Sequence, residues 1–136
     1  MSTDAAIKRT FDDWHRATVS GDLDVLAGLY ATDAVFESPT AILTLGESTG
    51  IVKGRAEIRA FFKTVYSKIS RSTNQWYRTG TYFSDGHQLV WEYPRETPDG
   101  DQADILEVME IKDGFITHHR VYWGWHGLQA LLAARG

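Results

Sequence analysis

Asp104-Ile105-Leu106-Glu107-Val108-Met109-Glu110-Ile111-Lys112-Asp113-Gly114-Phe115-Ile116-Thr117-His118-His119-Arg120-Val121-Tyr122-Trp123 holds two runs rich in apolar and aromatic residues on either side of one Asp-Gly pair. The runs alternate with period 2, and Asp-Gly between such runs is a hairpin signal. The pattern recurs upstream at Asp85-Gly86 and Asp99-Gly100. Three turns predict four consecutive antiparallel strands, near residues 72–83, 87–95, 102–112 and 115–125.

The first half of the chain has the helical period instead. Residues 4–19 place Ile7, Phe11, Trp14 and Thr18 on one face, and Ser20-Gly21 ends that helix. Asp22 caps a short second helix with the stripe Leu23, Leu26, Ala27 and Tyr30. Val35–Ser38 reads as a short strand closed by Pro39, and residues 40–53 as a loop at a pocket rim with room for a short strand. A third helix follows Gly54, with Ile58, Phe61, Phe62 and Val65 at i, i+3, i+4 and i+7. Residues 127–134 read as a short closing helix. Helices first and a meander second predict an α+β fold: a curved antiparallel sheet of four to six strands wrapped around three helices. Such a cone-shaped domain can keep a pocket at its open end.

The chain has 136 residues, enough for one domain that buries a substantial core. It has no cysteine, which excludes disulfides, thiolate catalysis and cysteine-ligated zinc. The net charge of −4 is dispersed, and no basic run suggests nucleic acid or an anionic membrane. No apolar stretch approaches the ~20 residues of a membrane span. Met1-Ser2-Thr3-Asp4 is no signal peptide, so the expected location is the cytoplasm. Five Trp, six Tyr and six Phe supply either a dense core or an aromatic-walled cavity.

The candidate chemistry sits on the quoted strands. Ile105, Glu107, Met109 and Ile111 share one strand face, so a single carboxylate interrupts an apolar row. A carboxyl enclosed there is desolvated, as acids, bases and hydrogen-bond donors in active sites are. If Lys112-Asp113-Gly114 is a three-residue loop, His119 lies opposite Glu107. A two-residue turn brings Arg120 there instead. The count around Pro98-Asp99-Gly100 sets Trp91 opposite Glu107 and Tyr93 opposite Ile105, whereas a shorter turn sets Glu92 there. The candidates for proton transfer are therefore Glu107, His119 and Glu92. His118 and His119 point to opposite faces, so their spacing makes no metal site. His15 and His87 read as surface residues. No phosphate loop or nucleophile elbow is present, and no cofactor is expected.

Beyond the meander, Leu29–Pro39, Gly54–Phe62, and Glu107-Val108-Met109 followed by Asp113-Gly114 and Tyr122-Trp123 carry a family likeness. The chain resembles the SnoaL-like branch of the nuclear transport factor 2-like superfamily, which includes ketosteroid isomerases, polyketide cyclases and limonene-epoxide-hydrolase-like enzymes. The resemblance implies that Glu107 stands where the isomerases carry an oxyanion-hole aspartic acid, and that Tyr30 matches a tyrosine of their hydrogen-bond network. Ser38 stands in place of their proton-abstracting aspartate, and Trp14 and Phe62 in place of two tyrosines. Val121 occupies the position of a catalytic aspartate in the cyclases and epoxide hydrolases. The resemblance also turns His119 and Trp123 toward the pocket of Glu107, and suggests an inward Glu92.

These readings lead to two expectations. One is a cofactor-independent acid–base enzyme (isomerase, cyclase, dehydratase or epoxide hydrolase in type) acting on a small apolar ring compound. The other is a non-catalytic ligand-binding or dimeric interaction domain. The pocket is expected to be lined by Trp14, Tyr30, Ser38, Phe62, Trp91, Tyr93, Met109, Val121 and Trp123. A homodimer is expected through the outer sheet face, where Leu106, Val108, Tyr122 and one of Trp76 or Tyr77 would lie.

Overall fold

The computed structural model describes residues 3–46, 48–68, 81–96 and 102–135. Helix α1 (Asp4–Ser20) starts at Thr3, whose hydroxyl accepts from the Ala6 N–H, and stops at Gly21 in the left-handed region. Helix α2 (Leu23–Gly28) is capped by Asp22. Strand β1 (Tyr30–Glu37), helix α3 (Pro39–Leu45), strand β2 (Ile51–Lys53) and helix α4 (Arg55–Lys68) follow. The second half holds β3 (Phe83–Ser84), β4 (Gln88–Glu96), β5 (Gln102–Lys112), β6 (Phe115–Trp123) and α5 (Trp125–Arg135). Most of the first predicted meander strand, with Trp76 and Tyr77, and the Asp99-Gly100 turn lie outside the described residues. No helix among the described residues is long and apolar enough to cross a membrane.

The strands form one curved sheet in the order β2-β1-β6-β5-β4-β3. The meander is antiparallel as the turns predict, but β1 runs parallel to β6, so the sheet is mixed. A parallel neighbour needs a long crossover, and here everything from α3 to β5 intervenes. Tyr30, read from the sequence as the last residue of the α2 stripe, is instead the first of β1. The predicted rim loop contains α3. Its punctuation is complete, with Ser38 as N-cap, Pro39 in the first turn and Gly46 at φ 70° beyond the end. At seven residues the helix is too short to show a period.

The β5–β6 register departs from the expected loop in two places. Asp113 (φ 52°) and Gly114 (φ 81°) both take positive φ, the signature of a two-residue type I′ turn, which pairs Lys112 with Phe115. A bulge then separates the pairs Ile111–Ile116 and Glu110–His118. Thr117 is the extra residue, and its hydroxyl donates to the Glu110 carbonyl (3.1 Å). Each event slips the register by one in the same sense. Met109 therefore faces His119, and Glu107 faces Val121. On the other side of β5, Trp91 pairs with Glu107 and Tyr93 with Ile105, as the turn count predicts.

The concave face of the sheet meets α1, α2 and α4 over one continuous core. Ile7, Phe11, Trp14, Phe36, Ile58, Phe61, Trp91, Ile105, Met109 and Ile116 belong to it. The outward face carries exposed Leu106 and Tyr122, which are cross-strand neighbours. Beside them His118 contacts Glu37 and Glu110, and Arg120 donates to Glu110 (3.0 Å).

Candidate functional site

Alternation places Glu107 and His119 on the concave face from neighbouring strands, β5 and β6. The two-step slip preserves parity, so they share a face, one rung apart. Glu107 is 2% exposed and His119 0%. Glu107 Oε1 and His119 Nε2 are 2.8 Å apart, a hydrogen bond inside the core. His119 Nδ1 lies 2.8 Å from the Tyr30 hydroxyl, which in turn accepts from the Trp14 indole N–H (3.2 Å). Four side chains from α1, β1, β6 and β5 thus form a single row. Phe36 meets the imidazole edge-on at 4.9 Å, and Trp14 does so at 5.8 Å.

Indole can only donate, so the Tyr30 oxygen accepts from Trp14. The imidazole tautomer sets the direction of the two bonds that His119 makes, one with the Tyr30 oxygen and one with Glu107 Oε1. Oε1 is engaged, and Oε2 is buried with no hydrogen-bond partner among the described residues. An unpaired buried acceptor costs about 1–3 kcal/mol. Such a group calls for an explanation, whether a catalytic role, a bound ion or a buried water.

The remaining sequence candidates divide between this core and other places in the fold. Trp14, Tyr30, Phe62, Trp91 and Met109 are buried in the same core, and Val121 and Trp123 pack half-buried against it. Ser38 is buried, but it serves α3: its hydroxyl accepts from the Thr40 N–H and from the Trp123 indole (3.3 Å). Of Tyr93 only the backbone is described, opposite Ile105. Glu92 is not brought to the site. It pairs with Leu106 and is exposed on the outward face, because the two-residue step from Leu89 to Trp91 gives the odd positions of β4 to the core. Arg120 is likewise outward, at the rung of Val108.

His15 corrects the sequence reading. It is buried against Phe11, Trp14 and Trp91, with ring centroids at 4.2, 5.4 and 5.2 Å. Its Nδ1 lies 2.7 Å from the Phe11 carbonyl, to which only a protonated nitrogen can donate. Burial lowers its basicity, opposed by that backbone bond and by the charge of Glu107. The signal was present in the sequence: His15 follows Phe11 by four residues, flanking the arc of Ile7, Phe11, Trp14 and Thr18. Among the described residues no group of three His, Asp or Glu side chains is arranged to hold a metal ion.

Comparison with known proteins places this geometry in a family. The profile of the SnoaL-like domain matches residues 11–119, which span every member of the row. No protein among those of curated function matches the chain. A SnoaL-like protein of unknown function from Burkholderia thailandensis superposes with a TM-score of 0.70 at 18% identity, covering 90% of this chain and 97% of that one. A nuclear transport factor 2-like protein of unknown function from Burkholderia pseudomallei gives 0.73 at 17% identity, with 93% and 97% covered. TerC, co-crystallised with polyporic acid, gives 0.73 at 16% identity, with 94% and 98% covered. At these identities the structural matches establish the fold, and the profile match establishes the family: the chain belongs to the SnoaL-like domain family.

Proposed function

We propose that this protein is a cofactor-independent acid–base enzyme acting on a small, largely apolar ring compound, with Glu107 as the proton-transferring group and His119 as its partner. The observation that carries this reading is the Glu107–His119 pair, buried and hydrogen-bonded at one carboxylate oxygen while the other has no partner among the described residues. A lone acid would suit ligand binding alone. A coupled pair with a free acceptor suits proton transfer. The SnoaL-like fold is a small-molecule-binding one, and a neighbour of the same fold was crystallised with polyporic acid. The aromatic surroundings of Trp14, Trp91 and Trp123 suit a flat apolar substrate.

In the proposed step Glu107 Oε2 takes a proton from a substrate carbon or hydroxyl and returns it to another position or to the leaving group. In that step His119 holds Oε1 through an Nε2 proton, and Tyr30 and Trp14 hold the ring in position. Isomerisation, cyclisation, dehydration and epoxide opening all need such a step. Steroid isomerisation by the route of the resembling enzymes lacks its aspartate here, since Ser38 stands there as a helix cap.

Deuterium exchange tests the proposal without knowledge of the physiological substrate. 2-Tetralone and cyclohexanone in D2O should incorporate deuterium beside the carbonyl faster with the protein than with buffer. Glu107→Gln should fold and lose at least about a hundredfold of that rate. Exchange undiminished in the variant, or absent for every ketone that stabilises the protein thermally, overturns the catalytic reading. We further propose a homodimer through the outward sheet face, on the strength of the exposed neighbours Leu106 and Tyr122.

A further inference from the structure

A groove of about 410 Å3 opens where β1 ends and α3 begins, between α3, the residues leading into β2, and β6. Its volume falls in the range of small-molecule sites. Pro39 and Ile42 of α3, Ile51 of β2 and Tyr122 of β6 form its apolar walls. Ile42, Ile51 and Tyr122 are 43%, 42% and 53% exposed. Helix α3 is inverted here: it buries Thr40, Ala41 and Thr44 and leaves Ile42 and Leu45 exposed. Packing of α3 on the domain therefore does not account for an isoleucine at position 42.

Two charges of opposite sign line the same groove, Glu37 and Arg120. They are direct partners in the β1–β6 register, yet no ion pair joins them among the described residues. Glu37 Oε2 contacts His118 instead, and Arg120 Nη1 donates to Glu110 Oε2 (3.0 Å), with the Tyr122 hydroxyl beside the guanidinium. A carboxylate accepts at both oxygens and a guanidinium carries several N–H groups, so each keeps bonding capacity for a ligand. Neighbouring strands lie about 4.8 Å apart, a separation that suits an anion and a cation carried by one ligand carbon.

We propose that this groove binds a free α-amino acid with an apolar side chain: the ammonium on Glu37, the carboxylate on Arg120, and the side chain against Ile42, Ile51 and Tyr122. The site is independent of the acid–base reading, because no residue of the Trp14–Glu107 row lines the groove. An apolar acid would reach Arg120 but set its carboxylate against Glu37. An apolar amine would reach Glu37 but leave the guanidinium without its anion. A phosphate would bring still more negative charge beside Glu37. A zwitterion meets both groups and adds no net charge to the cluster.

The test titrates leucine into 15N-labelled protein and follows the amide shifts of residues 37, 42, 51 and 120–122. Leucine should bind at least about fivefold more tightly than N-acetylleucine, which lacks the ammonium, and than 3-methylbutylamine, which lacks the carboxylate. It should exceed glycine by a similar factor, since half-burying the side chain is worth about fivefold. Glu37→Gln should bring leucine and N-acetylleucine within about twofold, and Arg120→Gln should do the same for leucine and 3-methylbutylamine. Ile42→Ser, at an exposed position, should lower leucine binding toward that of glycine. The titration is repeated on Leu106→Asp, so that a second copy covering Tyr122 cannot hide the groove. Absence of leucine-induced shifts in both the wild type and Leu106→Asp overturns the inference. So does equal binding of leucine and either singly charged analogue, or a preference that survives in both Glu37→Gln and Arg120→Gln.

Discussion

Tyr30→Phe removes one oxygen from the centre of the core and nothing else of consequence to packing. That oxygen accepts from Trp14 Nε1 at 3.2 Å and meets His119 Nδ1 at 2.8 Å. Trp14, Tyr30 and His119 are 3%, 0% and 0% exposed, so water cannot replace the lost partner. Two hydrogen bonds at about 1 kcal/mol each are lost. An indole N–H and an imidazole nitrogen are also stranded, at about 1 kcal/mol or more each. Removal of a polar atom from an apolar site offsets part of this. The expected loss is about 2–4 kcal/mol, a large fraction of the 5–15 kcal/mol that holds an ordinary domain together. Urea unfolding followed by circular dichroism should show a lower midpoint at unchanged slope. Trp14→Phe in the Tyr30→Phe background should cost at least about 0.5 kcal/mol less than in the wild type, because the N–H it removes has already lost its acceptor. A Tyr30→Phe loss below about 0.5 kcal/mol, or additive losses in the double variant, would refute the idea that this hydroxyl holds the row together.

Two further expectations rest on separate parts of the molecule. Burial holds His15 below its ordinary value of 6.5, so the folded state takes up its proton at lower pH than the unfolded chain does. That contribution leaves stability whole above pH about 6.5 and erodes it as pH falls from there toward the lower folded value. Urea midpoints between pH 7.5 and 5 should fall less steeply in His15→Leu than in the wild type; equal slopes would show that His15 is not the group responsible. The wild-type protein should sediment as a dimer at micromolar concentration, and Leu106→Asp, beside Tyr122 on the outward face, should sediment as a monomer with an unchanged circular dichroism spectrum. A monomeric wild type would remove the proposed interface.

The glutamate's environment is a case in which alternation alone carried the argument. Ile105, Glu107, Met109 and Ile111 share a face by the period of a strand, and no tertiary detail can change that without breaking the strand. The shared face of Glu107 and His119 is nearly as secure. The turn was one residue shorter than the loop expected from Lys112-Asp113-Gly114, and the Thr117 bulge added a second slip, so parity survived although both local readings differed. The contact itself is a diagonal one that pair counting does not reach: Met109 occupies the rung opposite His119, and a long carboxylate bridges to the ring from the next rung.

Local chemistry determined what repeats locally: the α1 face, the α4 stripe, the strands on either side of Asp113-Gly114, and the register that sets Trp91 beside Glu107. Tertiary structure decided what depends on distant elements meeting. Tyr30 left the stripe of α2 for β1 because β1 lies parallel to β6, and only that placement sets its hydroxyl between Trp14 and His119, 16 residues before it in one case and 89 after it in the other. His15 shares a helix face with Phe11, yet whether that face is wide enough to bury an imidazole depends on Trp91 packing against it from the sheet. Residues 39–45 form a helix whose caps are visible in the sequence but whose length is too short for periodicity to reveal. A side chain's direction is set by the few bonds around it and can be read from the chain. Its partner is set by register, bulges and crossovers, which depend on how the whole sheet closes over its helices.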